Sequence, residues 1–140
     1  MLISTKGRYA LRVMIDLAQH DQTQYTPLKE IAERQGISEK YSETILKVLV
    51  RENMLTGLRG KGGGYKLNRN PEEYTVWDII SIMEEDALLP VACLGAGAEK
   101  CNRENVCVTL PMWQDLNKTL KEFFEGYKLS DFVNTKISDI

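Results

Sequence analysis

No apolar run in this 140-residue chain approaches the roughly 18 residues that span a bilayer. The opening "MLISTKGRYALRVMIDLAQ" sets charges among its apolar residues, unlike a secretory leader. The chain is therefore expected in the cytoplasm, with no membrane partner. Histidine occurs once, as His20, and no group of residues reads as a nucleophile with its base and orienting partner, so an enzyme is not expected. Cysteine is absent except for Cys93, Cys101 and Cys107. An odd number of cysteines in such a chain argues against a disulfide framework. The three also lack the tight C-x-x-C pairs on which structural zinc sites are usually built.

What is present describes one domain's worth of chain, apolar enough to bury a core and too apolar to be disordered. The net charge of −2 conceals an asymmetry: residues 1–69 hold 12 Lys or Arg against 7 Asp or Glu, and residues 70–140 hold 6 against 13. A basic half joined to an acidic half suggests that one part only meets nucleic acid.

Apolar residues at helical spacing predict a helix over 5–19 with Tyr9, Val13, Met14, Leu17 and Ala18 inward and Arg8, Arg12 and Asp16 elsewhere. Thr26 reads as the cap and Pro27 as the first residue of a second helix carrying Leu28, Ile31 and Ala32. Gly36 supplies a turn and Ser38 caps a third helix, lined inward by Ile45, Val48 and Leu49. Its outward residues are Glu39, Lys40, Glu43, Thr44 and Lys47. Two helices joined by a short glycine turn form a helix-turn-helix pattern. Strands are expected over "MLTGLR" and "GYKLN". Thr75 then caps a fourth helix with Val76, Ile79, Ile80 and Met83 on one side.

Between the strands lies "GLRGKGGGYKL". It is not a phosphate-binding P-loop, because Gly62 follows Lys61 where a hydroxyl is needed, and the loop leads into a strand rather than a helix. As a hairpin tip it makes sense. Gly62, Gly63 and Gly64 permit positive φ, and Arg59 and Lys61 ride at the end of an arm that can touch phosphates or a minor groove. Toward the C-terminus, Trp113, Leu116, Leu120, Phe123 and Tyr127 step by three and four, a short seam expected to meet a second copy. A last helical turn is expected at 129–133.

The stretches "STKGRYALRVMIDLA", "LKEIAERQGISEKYSETIL" and "LTGLRGKGGGYKL", followed by "VWDIISIMEE", three cysteines and "PMW", resemble the winged-helix transcription regulators of the IscR, NsrR and CymR type over about residues 1–134. The resemblance implies a mainly α fold: a winged helix-turn-helix head over 1–86 with a two-stranded β wing, a cysteine-containing sensor loop over 87–108, a dimerisation helix and terminal turn over 109–134, and a tail over 135–140. It implies a homodimer on a near-palindromic double-stranded DNA operator. The residues expected at the DNA are Ser38, Lys40, Tyr41, Glu43, Thr44, Lys47, Arg59, Lys61, Gly62 and Gly63. It further implies that Cys93, Cys101 and Cys107 hold an iron–sulfur cluster, 2Fe–2S or 4Fe–4S, which senses iron–sulfur, redox or nitric oxide status. A change of cluster state would then alter the spacing of the two heads.

The fourth ligand is unknown. IscR-like members place a histidine three residues after the third cysteine, where this chain has Leu110; nitric-oxide-sensing relatives use an acidic residue in the partner's first helix, where it has Arg8. The first two cysteines are also two residues further apart than is usual in cluster-binding relatives. Glu84, Glu85, Asp86 and Glu104 are carboxylate alternatives. Two rival readings stand beside this one. The first is a cluster-free CymR-like regulator governed by a partner protein or thiol oxidation; the second is an iron–sulfur carrier or adaptor that does not bind DNA.

Overall fold

The computed structural model describes residues 3–84, 89–95 and 101–134. Five helices and one hairpin follow in the order α1 (Thr5–Gln19), α2 (Leu28–Gln35), α3 (Glu39–Arg51), β1 (Leu55–Leu58), β2 (Gly64–Leu67), α4 (Val76–Glu84) and α5 (Leu110–Glu125). No helix among the described residues is long and apolar enough to cross a membrane. Glu85, Asp86 and the 135–140 tail lie outside the described residues.

Ser4 starts α1, its hydroxyl accepting from the Gly7 N–H at 3.0 Å. Ala10, Val13, Met14 and Leu17 form the inward stripe. Asp16, expected to face away from it, is instead buried, because α2 brings Arg34 and Gln35 to its carboxylate. α2 begins one residue later than expected, with Pro27 at the cap and no side-chain cap. Thr26 is drawn off by the hairpin: its N–H donates to the Tyr65 carbonyl and its carbonyl accepts from the Tyr65 N–H, both at 2.9 Å. Gly36 ends α2 in the left-handed conformation (φ 64°), which L side chains disfavour. Ser38 then caps α3 as expected, accepting from the Tyr41 N–H at 3.1 Å.

β1 and β2 pair antiparallel with Leu55 opposite Leu67 and Leu58 opposite Gly64, so the strands are shorter than the expected segments. The inward members, Leu55 and Leu67, close the core formed by Val13, Met14, Ile45 and Leu49. Tyr74 is wholly buried below them. Its hydroxyl accepts from the Asn68 N–H and donates to the Met54 carbonyl, tying both hairpin ends to the head, and burial pushes its phenol pKa up.

Thr75 and Asp78 cap α4 reciprocally: each side chain accepts from the other's backbone N–H. Its stripe of Val76, Ile79, Ile80 and Met83 is buried as the spacing predicts. Glu84 at its end is buried too, accepting from the Ser4 N–H at 2.8 Å and hydroxyl at 2.7 Å. α5 buries none of its residues. Its C-terminal end is fixed to the head by Val76 N–H donating to the Tyr127 carbonyl and Leu129 N–H donating to Tyr74. Leu129, in a 3-10 turn spanning Leu129–Phe132, sits wholly inside the core of the head.

Candidate nucleic-acid interface

The exposed side of α3 and the tip of the hairpin face one groove of about 700 Å³. Glu43 and Lys47 from α3 line it, with Arg59, Gly60 and Gly63 from the hairpin. Of the sequence-predicted residues, Glu43, Lys47, Arg59 and Gly63 line this groove, while Ser38, Lys40, Tyr41, Thr44, Lys61 and Gly62 do not. Ser38, Lys40, Thr44 and Lys47 are exposed on α3; Glu43 and Tyr41 are half-buried. Glu43 accepts an ion pair from Lys47 at 3.1 Å, and the Thr44 hydroxyl donates to the Lys40 carbonyl at 3.1 Å.

Tyr41 is held by the head. Its ring meets Tyr9 edge-on at 5.9 Å, and the Arg12 guanidinium caps the other ring at 4.8 Å. The ring therefore has a fixed direction, unlike the flexible lysines beside it.

At the hairpin tip, Arg59, Lys61 and Gly62 are exposed and Gly63 is half-buried. Among the described residues, neither Arg59 nor Lys61 has an ion pair or a side-chain hydrogen bond. Positive φ occurs at Gly60, Gly62 and Gly64, not at Gly63. Gly63 is required for space instead, since a β-carbon there would overlap the Leu58 carbonyl. Sequence reasoning missed Val50, Arg51 and Leu58, which also line the groove. Only the fold shows that the end of α3 and the end of β1 face each other.

The cysteine segment precedes α5 in the chain. Cys93 and Cys101 are exposed, Cys107 is half-buried, and all three are free thiols. The Cys101 sulfur accepts from the Arg103 N–H at 3.4 Å. The Thr109 hydroxyl, with its backbone N–H, holds the Cys107 thiol below its ordinary pKa; Leu110 and Arg103 add to this. The donor chemistry suits a thiophilic metal group. The geometry does not gather it: among the described residues, no three His, Cys, Asp or Glu side chains converge as a metal site. Of the carboxylate alternatives, Glu104 is exposed and Glu84 is committed to Ser4.

On the seam of α5, Leu116, Phe123 and Tyr127 are exposed and Trp113 and Leu120 half-buried. Tyr127 lies beyond the helix, which stops at Glu125, and its ring stacks near Phe132. Phe124, which shares a half-buried stripe of the helix with Trp113 and Leu120, packs against Val76 and Ile80 of α4. The half-buried stripe of α5 that carries Phe124 therefore adjoins the head, while Leu116 and Phe123 beside it are uncovered.

A family model described as an iron-dependent transcriptional regulator, Rrf2, matches residues 3–135. The HTH-type transcriptional regulator IscR of Pectobacterium atrosepticum is 37% identical over 136 residues, covering 97% of this chain and 81% of that protein. The structure of CymR, the global cysteine regulator of B. subtilis, superposes with a TM-score of 0.74 at 34% identity, covering 97% of this chain and 99% of that one. T. potens IscR superposes with a TM-score of 0.72 at 34% identity, over 95% and 86% of the two chains. With its helix-turn-helix, its hairpin wing and a match across nearly its whole length, the chain belongs to the Rrf2 family of winged-helix transcriptional regulators, not to an enzyme family.

Proposed function

We propose that this regulator binds a near-palindromic DNA duplex as a homodimer, with α3 in the major groove and the hairpin tip in the adjacent minor groove. The observation that carries this reading is the shared groove, where Glu43 and Lys47 of α3 face Arg59 of the hairpin. Helix side chains read base edges; unpaired cations at a hairpin tip seek phosphates and narrow minor grooves. The uncovered side of α5, carrying Leu116 and Phe123, supports the second copy, since a two-fold pair of heads matches a palindrome. Arg59→Ala is expected to weaken binding to a palindromic duplex about tenfold and lower the salt slope by about one, with two chains per duplex in the parent complex. Unchanged affinity across the salt titration would remove the wing from the interface.

For the signal, we infer that Cys93, Cys101 and Cys107 hold an iron–sulfur cluster. Three free thiols confined to one segment support this, and a bound cluster would supply iron that responds to redox state and nitric oxide. The segment precedes α5, whose far end is bonded to the head at Tyr74 and Val76, so a rearrangement there has a direct route to the DNA-reading elements. A second reading, direct thiol regulation without a cluster, is favoured by the lack of a converging ligand set among the described residues and by the likeness to CymR. Anaerobic reconstitution decides between them. A coloured product with acid-labile sulfide, lost when Cys93, Cys101 and Cys107 are each replaced by serine, supports the cluster; a colourless parent selects the thiol reading.

A further inference from the structure

Glu84 is the last residue of α4, and the first cysteine, Cys93, follows nine residues later. Although charged, Glu84 is only 5% exposed, because its carboxylate is turned onto the start of α1. One oxygen, Oε1, accepts from both the N–H and the hydroxyl of Ser4, the residue that caps α1. The seat is shaped for this approach: a β-carbon on Gly7 would overlap the carboxylate, so a residue with a side chain there would push it away. The other oxygen, Oε2, is buried with no hydrogen-bond partner among the described residues. Two charge-assisted bonds and the positive end of α1 favour the inserted carboxylate, while a desolvated oxygen without a donor opposes it. Opposed contributions of comparable size leave the contact poised between held and released.

From that seat α1 leads to the DNA-reading helix. Tyr9 meets Tyr41 of α3 edge-on at 5.9 Å. Arg12 donates to the Gln35 side chain at 3.2 Å and to the Gln35 carbonyl at the end of α2. A shift in the first half of α1 therefore reaches both helices of the helix-turn-helix. Neither Ser4, Gly7 nor Glu84 lines the groove between α3 and the hairpin, so a change at the seat acts on DNA only through α1.

We propose that Glu84 is a positioning residue that carries the state of the cysteine segment to α3: inserted on Ser4 it holds α1 and Tyr41 in the DNA-reading arrangement, and withdrawn it lets both move. The proposal rests on the cysteine-sensing reading above and adds a route to the reading helix that is separate from the bonds at the end of α5. A contact that served stability alone would act equally in every state of the cysteines. A coupling residue must instead change how strongly one site feels the other.

The test uses the full chain with its cysteines in two states: anaerobically reconstituted, and alkylated with N-ethylmaleimide after iron is removed by a chelator. Anisotropy is read on a fluorescein-labelled palindromic duplex that the parent selects from a random pool. Alkylation is expected to weaken binding by the parent about tenfold, a usual strength of coupling between two sites. Gly7→Ala expels the carboxylate without touching a cysteine, and alanine favours the helix itself, so weaker binding cannot be blamed on a failing α1. Gly7→Ala and Glu84→Met, when reconstituted, are both expected to bind at the level of the alkylated parent and to lose the response to alkylation. In the parent, amide exchange in the first turn of α1 is expected to quicken on alkylation. A variant that keeps the parent's ratio of affinities, or exchange that does not change, overturns the role of Glu84 and leaves the sensing reading intact. A parent that binds the duplex alike in both states overturns the sensing reading and the role of Glu84 together.

Discussion

Gly64→Ala is expected to lower the melting temperature by roughly 10 °C and to detach the hairpin from the helix-turn-helix. Gly64 opens β2 at φ 143°, a conformation that L residues rarely adopt. A β-carbon there would fall inside the Thr26 carbonyl group and 2.8 Å from the Pro27 nitrogen. Both are backbone atoms, pinned by the start of α2, and neither can swing aside. Relief would come by moving the hairpin outward, which breaks the two 2.9 Å bonds between Thr26 and Tyr65. Backbone strain and two lost hydrogen bonds together cost about 3 kcal/mol. Gly62→Ala is the control. It also has positive φ, yet its surroundings are open, so about 1 kcal/mol is expected. Thermal unfolding followed by circular dichroism separates the two. Equal melting temperatures would show that Gly64 serves only the turn and that the hairpin is not docked through Thr26.

The order of elements was legible because each boundary is marked locally. Gly36, Ser38 and Thr75 act within a few residues of themselves, and the stripes of α3 and α4 repeat at helical spacing. Thr26 was misread because its partner, Tyr65, lies on a strand far along the chain; nothing local distinguishes a threonine that caps from one that pairs. The same limit applies to the site. Residues on the outer side of α3 and at the hairpin tip follow from periodicity and turn chemistry. Arg51 looks like the end of a helix and Leu58 like the end of a strand until the fold sets them across a groove. For the cysteines, the sequence supplies three candidate sulfur donors but carries no information on convergence, which depends on the path of the chain between them.

Asp16 carries the remaining large effect, and it is the position where patterning misled most. Amphipathic reasoning sends a charged residue outward, yet Asp16 is 2% exposed. Its two oxygens take Arg34 at 2.7 Å and Gln35 at 2.9 Å, which locks α2 against α1 and so sets the angle at which α3 is presented. Asp16→Ala would leave the Arg34 guanidinium beside a cavity with only Glu30, at 3.1 Å, to balance it. Breaking a buried pair from one side typically costs 3–5 kcal/mol; Arg34 keeps a second carboxylate and some solvent, so roughly 3 kcal/mol is expected here. The Nε of Arg34 is already buried without a partner, so the guanidinium has no spare hydrogen bond to offset the loss. Removing the charge from both sides should cost less than removing it from one. Asp16→Ala combined with Arg34→Met is therefore expected to melt higher than Asp16→Ala alone, the signature of a coupled pair in a double-mutant cycle. If the double variant is the less stable, Arg34 contributes by packing its stem rather than by answering Asp16. DNA affinity should follow melting temperature only where α2 has shifted, because neither residue lines the groove.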